Sequence, residues 1–409
     1  MRQIVTHFTD NDLYTFTVMY FILKNFPRAE VEYTFFDRGK RKYPKGFGKA
    51  LQEQIDGMRN VVITEQEIEF MKKTCYFLPE WFFTFLMGYR FNPAEVTINQ
   101  SEEGYLSISV RGKWYSTVMW EMPILSTISE LVNTFEGNIE RYNEELEYQK
   151  SYSKMVKLLE SGISVSDMGT RRRFSFHHHE NVIKSFVQAC EDNPVSYGKF
   201  VGTSNVWFAM KYNLKPIGTM SHQIVSFCEN IASVHEVNYY VMKLWADTYD
   251  GDLGIYLYDC FGDEVFFGNL SKKMAMLFDG LRVDSGDERE QLEKIIEKYK
   301  SLGIDPRTKS VIFSNALSVD KAIELNEYVA GRMKDSYGIG THFCADIDGV
   351  GYSNIVIKLT KMRITELREW LDCIKLSCDK GKTLGDPVKC NKVLTDIEKH
   401  YGRKSNQAA

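Results

Sequence analysis

The sequence predicts an α/β protein: a parallel sheet with crossover helices, doubly wound or closed as a barrel, behind a mixed α+β N-terminal region. Three observations carry this expectation. Between positions 160 and 345, seven short apolar runs each end in a Gly/Thr/Ser/Asp cluster and give way to a helical pattern. Residues 1–130 instead mix helical and alternating patterns. The chain of 409 residues exceeds one ordinary compact domain, and its 44% hydrophobic and 26% charged residues can bury a core and stay soluble.

In chain order, Thr9 and Asp10 precede an apolar, aromatic-rich stretch over 13–25, a helix that either residue could cap. AEVEYTFF (29–36) alternates and reads as a strand. A Thr64-x-x-Glu67 capping box opens a helix over 61–73. VTINQSEEGYLSISV (96–110) reads as a hairpin around Gly104. Pro123 precedes one long helical stretch, 124–157. The seven strand runs are ISVSDM, GKFV, LKPI, LGIYLYD, MLFDGLRVDSGD, KSVIFSN and SYG, the last before IGTHF. SNIVIKL (353–359) returns to β texture, and KSNQAA closes the chain as a frayed tail.

Composition excludes several classes. A net charge of −4 gives no nucleic-acid footprint. The longest apolar stretches are too short to span a bilayer, and the N-terminus lacks an apolar core of signal-peptide length. Eight scattered cysteines form no CxxC pair and no zinc-finger spacing. Reduced thiols and a cytoplasmic location follow as expectations.

In open and closed parallel sheets alike, ligands bind at the carboxyl ends of the strands, where the polar clusters fall. In GLRVDSGD (280–287), Arg282 and Asp284 alternate and can face one cavity. Arginine binds phosphate or carboxylate in bidentate fashion, and Asp284 and Asp287 could accept ribose hydroxyls or hold magnesium. A salt-bridged turn is an equal alternative for this segment alone. GIGTHF (338–343) could form an anion nest, and IFSNAL (312–317) ends in Ser314 and Asn315. GTRRR (169–173) is a solvated basic face or an anion site. His222 in GTMSH could be a base, a ligand or a nucleophile, against a plain loop histidine. His177–His179 make a poor chelate, because adjacent helical residues do not share a face, and are expected to be structural.

Together, FTDNDLYTFTV (8–18), GTRRRFS (169–175), GTSNV (202–206), GTMSH (218–222), FDGLRVDSGD (278–287), FSNAL (313–317), GIGTHF (338–343) and KLSCDKGKT (375–383) resemble, in this order, the nicotinate phosphoribosyltransferase family. The resemblance spans essentially the whole chain. It implies an irregular (β/α) barrel (131–350) with a mixed α+β N-terminal domain (1–130) completed by the C-terminal segment (351–409). It also implies a homodimer with shared active sites. The implied reaction joins nicotinate to phosphoribosyl pyrophosphate (PRPP), giving nicotinate mononucleotide and pyrophosphate, with ATP as co-substrate and Mg2+ present.

By the same resemblance, Tyr14 covers the ring from the partner subunit, and Arg171, Ser204 and Thr219 lie near the nicotinate. Arg282 pairs with the carboxylate or the sugar phosphate. Asp284 holds ribose hydroxyls and is the candidate magnesium ligand. Ser314, Asn315, Gly340 and Thr341 cradle the 5-phosphate, and His222 is the residue that ATP phosphorylates. Three positions depart from relatives: Ser221 and Gln223 stand where several carry Ala and Glu, and Val283 where many carry His. A glutamine can orient the imidazole but brings no charge.

Three other readings remain at this stage. A nicotinamide-specific enzyme tends to carry Asp where this chain has Ser204. A sugar-phosphate barrel lyase or isomerase would show a Schiff-base lysine at a strand end, and Lys358 lies outside the barrel pattern. A non-catalytic sensor would keep the fold without turnover.

Overall fold

The structure, a computed structural model, describes residues 2–218, 220–377 and 383–402. Its strands in chain order are β1 (Glu30–Asp37), β2 (Val96–Gln100), β3 (Leu106–Lys113), β4 (Ser164–Asp167), β5 (Lys199–Thr203), β6 (Lys215–Pro216), β7 (Ile255–Leu257), β8 (Gly280–Val283), β9 (Ser310–Phe313), β10 (Lys334–Ile339), β11 (Ile355–Arg363) and β12 (Leu371–Asp372).

They form two sheets. β4 to β10 make a parallel sheet in the order β6-β5-β4-β10-β9-β8-β7, one strand for each predicted run. It curls into a half-barrel with β6 and β7 at its two ends. Parallel pairing aligns every carboxyl end on one rim, so all the strand-end motifs gather there. The second sheet is antiparallel, in the order β12-β11-β1-β3-β2. Here β11 lies along β1 from Glu30↔Arg363 to Asp37↔Ile355, so the C-terminal segment completes the N-terminal sheet.

Local chemistry explains the elements. β1 alternates Val31, Tyr33 and Phe35 into the core, as its pattern requires. The helix Glu65–Thr74 carries the complete capping box between Thr64 and Glu67. The other Glu67 oxygen accepts from Thr9 N at 3.0 Å and Thr9 Oγ1 at 2.6 Å, tying this helix to the N-terminal segment. Thr9 therefore does not cap the helix Leu13–Asn25, and neither does Asp10, which pairs with Arg173. Asp12 is the N-cap residue, without a side-chain cap bond.

The long helix expected behind Pro123 is two helices, Glu121–Phe135 and Glu144–Glu160. Pro123 sits in the first turn, where an amide hydrogen has no intrahelical partner. Asn143 caps the second helix by accepting from Leu146 N at 3.2 Å. Seven cysteines among the described residues are free, and no described helix is long and apolar enough to cross a membrane.

Candidate active site

A cavity of about 550 Å³ opens between the rim of the parallel sheet and the inner face of the antiparallel one. Arg171 and Ser204 reach it from the loops after β4 and β5. Arg282 comes from β8 and Asp284 from the residue after it, Ser314 and Asn315 from the loop after β9, and Gly340 and Thr341 from the loop after β10. Tyr14 and His222 line it too. Thr219 falls outside the described residues.

His222 opens the helix His222–Cys228 and stands in a charged cluster. Its Nε2 lies 2.7 Å from Asp259 Oδ1, 2.9 Å from Lys375 Nζ and 3.9 Å from Asp284 Oδ2. Lys375 Nζ also donates to Asp259 Oδ2 at 3.2 Å, and Ser285 Oγ donates to the same oxygen at 2.7 Å. We assign the Nε2 proton to the bond with Asp259, because a carboxylate can only accept and Lys375 has Asp259 Oδ2 as its own acceptor; Nδ1 then keeps the lone pair. Gln223 does not orient this ring: its Oε1 accepts from Trp114 Nε1 at 3.1 Å and from Tyr33 Oη. The orienting carboxylate comes from β7's loop instead of the position after the histidine.

The cluster's charges follow from its burial. Burial first, then Lys375, push the His222 imidazole down to about 4, against the pull of Asp259. Burial would raise Asp259, but His222 and Lys375 hold it well below the usual carboxylate range. Lys375 is held above its ordinary value by Asp259 and Asp284, against its burial. The sign for stability is then fixed. The unfolded imidazole protonates near 6.5 and the folded one only near 4. Stability is therefore full above pH 6.5 and declines as the pH falls from there toward 4. In an NMR titration the His222 ring is expected to stay neutral down to about pH 5, so chemistry needing its lone pair shows no inflection near 6.5.

The cavity wall is strongly cationic. Arg38, Arg171, Arg172, Arg282, Lys358 and Lys375 all line it. Burial lowers Arg172 to about 9, helped by Arg171 and Arg38, and burial lowers Lys358 to about 8. Cations crowded enough to depress one another call for a polyanion. The third arginine of GTRRR has a different task. Arg173 is fully buried and grips Asp10 through both guanidinium branches, at 2.6 and 2.7 Å.

At another part of the cavity, Tyr14 Oη donates to Glu121 Oε2 at 2.6 Å, which fixes the phenol ring. Ser204 Oγ donates to Asp12 Oδ1 at 2.7 Å. Leu13 N donates to Ser204 O at 2.8 Å, so the Tyr14 segment is docked on the loop after β5 of its own chain. Tyr14 lines the cavity of its own chain.

The loops after β9 and β10 form a cradle of backbone and small side chains. Ser314 Oγ donates to Asp284 Oδ1 at 2.7 Å, and Asn315 Nδ2 donates to Gly286 O at 3.4 Å. A side chain at Gly340 would place its Cβ 2.5 Å from Met168 O, so only glycine permits that approach. Asp287 is not part of the site: its Oδ1 accepts from Arg289 N and Glu290 N as the cap of the helix Glu288–Ser301.

The residues fit magnesium in one way. Both Asp259 oxygens are committed to His222, Lys375 and Ser285, so they make poor ligands. Asp284 offers a carboxylate on the cavity wall, and Mg2+ binds through one or two carboxylates plus phosphate oxygens. The three histidines have three separate partners. His177 faces Glu144 at 3.0 Å, His178 faces Tyr142 Oη at 3.0 Å, and His179 faces Asp167 at 2.8 Å. They form no chelate, as expected.

Sequence reasoning missed Asp259, Lys375, Arg38, Glu121 and Lys358 as site residues. Asp259 had a signal, because it ends the run LGIYLYD as Asp284 ends GLRVD. Lys358 lies outside the barrel, as read, but β11 carries it onto the cavity wall.

Comparison with known proteins agrees with this geometry. The model of the "Nicotinate phosphoribosyltransferase (NAPRTase) family" matches residues 163–405, and that of its N-terminal domain matches residues 9–129. The nicotinate phosphoribosyltransferase of Desulforapulum autotrophicum is 40% identical over 388 residues, 94% of this chain and 97% of that one. The enzyme of that name from Chromohalobacter salexigens is 38% identical over 92% of this chain and 94% of its own. The crystal structure of the nicotinate phosphoribosyltransferase from Porphyromonas gingivalis superposes with a TM-score of 0.91 at 37% identity, over 96% of this chain and all of that one.

Proposed function

The chain belongs to the nicotinate phosphoribosyltransferase family, and from that premise we propose that it couples ATP cleavage at His222 to the synthesis of nicotinate mononucleotide for NAD production. The observation that carries this reading is one cavity combining a wall of six cations with a neutral, oriented imidazole.

The transfer step follows from charge. The pyridine nitrogen of nicotinate attacks the anomeric carbon of PRPP. The C–O bond to pyrophosphate breaks, and its electron pair leaves with the pyrophosphate. Positive charge grows on the ribose ring in the transition state, so Asp284, adjacent to the phosphate cradle, would stabilise it and hold ribose hydroxyls. The leaving pyrophosphate would lie against the cationic wall, and Mg2+, held by Asp284 and phosphate oxygens, would supply charge neutralisation there. Tyr14, fixed by Glu121, would cover the pyridine ring, with Arg171 or Arg282 opposite its carboxylate. Positioning of this kind carries much of the rate in such reactions.

For the ATP step, Nδ1 of His222 attacks the γ-phosphorus, the bond to ADP breaks, and the phosphoryl group resides on the imidazole until water removes it. Asp259 stabilises the ring by holding Nε2–H, as a carboxylate partner does for histidine nucleophiles. Lys375, beside the ring, would offset the added negative charge. The phosphoryl group is accordingly expected on Nδ1, which the phosphorus spectrum of the denatured phosphoprotein distinguishes from Nε2.

A steady-state assay of mononucleotide formation tests the whole reading. Nicotinate should be strongly preferred over nicotinamide, and ATP should raise kcat/KM. Preference for the amide would sink the substrate assignment. Unchanged rates with and without ATP would sink the coupling and leave the transferase intact.

A further inference from the structure

We infer that the lysine face of the helix Glu144–Glu160 braces the loop after β10, making Lys154 and Lys150 positioning residues for the phosphate-bearing substrate. Neither lysine lines the cavity, and nothing in the sequence pattern singled them out.

The loop needs such a brace. After β10 the chain makes the helix Thr341–Cys344, a single turn of four residues. A helix that short does not hold itself, because one turn cannot offset the cost of nucleation. Yet Gly340, Thr341, His342 and Asp346 all face the cavity. Lys154 Nζ donates to His342 O at 2.8 Å and to Asp346 Oδ2 at 2.7 Å, joining the two ends of the turn. It thereby satisfies one of the carbonyls left unpaired in a helix's last turn, with a cation at the negative end of the dipole. One helical turn earlier, Lys150 Nζ donates to Asp346 O and to Asp348 Oδ1, each at 2.7 Å.

The brace is well placed to be firm. The Lys154 side chain is only 14% exposed, so its bonds are shielded from the competition that weakens surface pairs. Its hydrogen bond and charge hold Asp346 below the usual carboxylate range, against the upward push of burial. The same helix face continues to Lys157, whose Nζ bonds Asp320 in the first turn of the helix Val319–Val329. That helix begins just after Ser314 and Asn315. One lysine stripe, at positions 150, 154 and 157, thus spans both loops of the cradle from behind.

The inference rests on the reading of these loops as the phosphate cradle, so the experiment tests the two separately. PRPP and nicotinate kinetics are measured for Lys154→Met, Lys154→Arg and Thr341→Ala, with melting temperatures recorded. Asp346 is 39% exposed and stays hydrated when Lys154 is removed, so the methionine variant should fold. Lys154→Met should raise KM for PRPP about tenfold with kcat and the KM for nicotinate within about twofold, and Lys154→Arg should restore most of the loss. If Lys154→Met will not fold, Lys150→Met reads the same shift at smaller size.

If Thr341→Ala raises KM for PRPP and Lys154→Met does not, the brace is refuted and the cradle stands. If neither moves it, the cradle reading itself fails. An equal loss in all constants for Lys154→Met, unrescued by arginine, marks a merely structural lysine and also overturns the proposal.

Discussion

Replacing His222 with alanine is expected to abolish ATP stimulation of phosphoribosyl transfer while a slow basal transfer persists. The groups proposed to grip the substrates, Arg282, Asp284, Tyr14 and the loops after β9 and β10, keep their own supports. Ser314 bonds Asp284, and Glu121 bonds Tyr14. What vanishes is the nucleophile that accepts the γ-phosphoryl group. Radiolabel from γ-labelled ATP should therefore bind the native protein and not the variant. Asp259→Asn should be more damaging than its size suggests, because it removes the counter-charge of Lys375 and the carboxylate that accepts from His222 Nε2. Breaking a buried ion pair from one side costs about 3–5 kcal/mol. In that variant labelling should fall along with stability, whereas His222→Ala should lose labelling alone. Equal ATP stimulation in His222→Ala would refute the phosphoryl-acceptor role.

The parts of this architecture legible in the sequence were those written in local pattern. Strand runs ending in polar clusters specify a parallel sheet and its functional rim, and the seven runs became seven strands. The capping box at Thr64 and Glu67 reads directly because both partners lie within one turn. Contacts between distant segments were not legible. Nothing at Asp10 or Arg173 announces that they meet, and nothing at Gln223 says that Asp259, 36 residues later, supplies the carboxylate. The break after Phe135 was hidden because its flanks both carry helical periodicity. Lys358 and Lys375 were hidden for a topological reason: they stand far along the chain from the barrel motifs, and pairing of β11 with β1 carries that segment back over the rim.

The other large effect is on stability, at a pair that touches no proposed substrate. Arg173 and Asp10 are both fully buried and joined by two short hydrogen bonds, and Asp10 accepts a third from Asn205 at 2.8 Å. Arg173→Met fills much the same volume but leaves Asp10 charged and unpaired in the interior. The expected loss is about 3–5 kcal/mol in denaturant unfolding. The double variant Arg173→Met with Asp10→Leu should recover much of it, since a well-packed apolar pair can replace a buried ion pair. A double variant no more stable than the single one would show that the cost lies in packing, not charge. The pH dependence separates this pair from His222. Burial would raise Asp10, but Arg173 holds it below its ordinary 3.8. Its contribution is therefore present above pH 3.8 and is lost only as the pH falls through the lower folded value. Between pH 7 and 5 the difference between native protein and the double variant should stay constant, while that between native protein and Arg173→Met should narrow, because burial then raises the unpaired Asp10 and protonation relieves it. Over the same range native protein should lose stability relative to His222→Ala, because the native chain alone bears the rising cost of a neutral buried imidazole. The pair also joins the FTDND segment to GTRRR, the two segments that deliver Tyr14 and Arg171. Even where the double variant refolds fully, its KM for nicotinate should remain raised, because apolar packing restores stability without the bidentate registration that aligns the two segments.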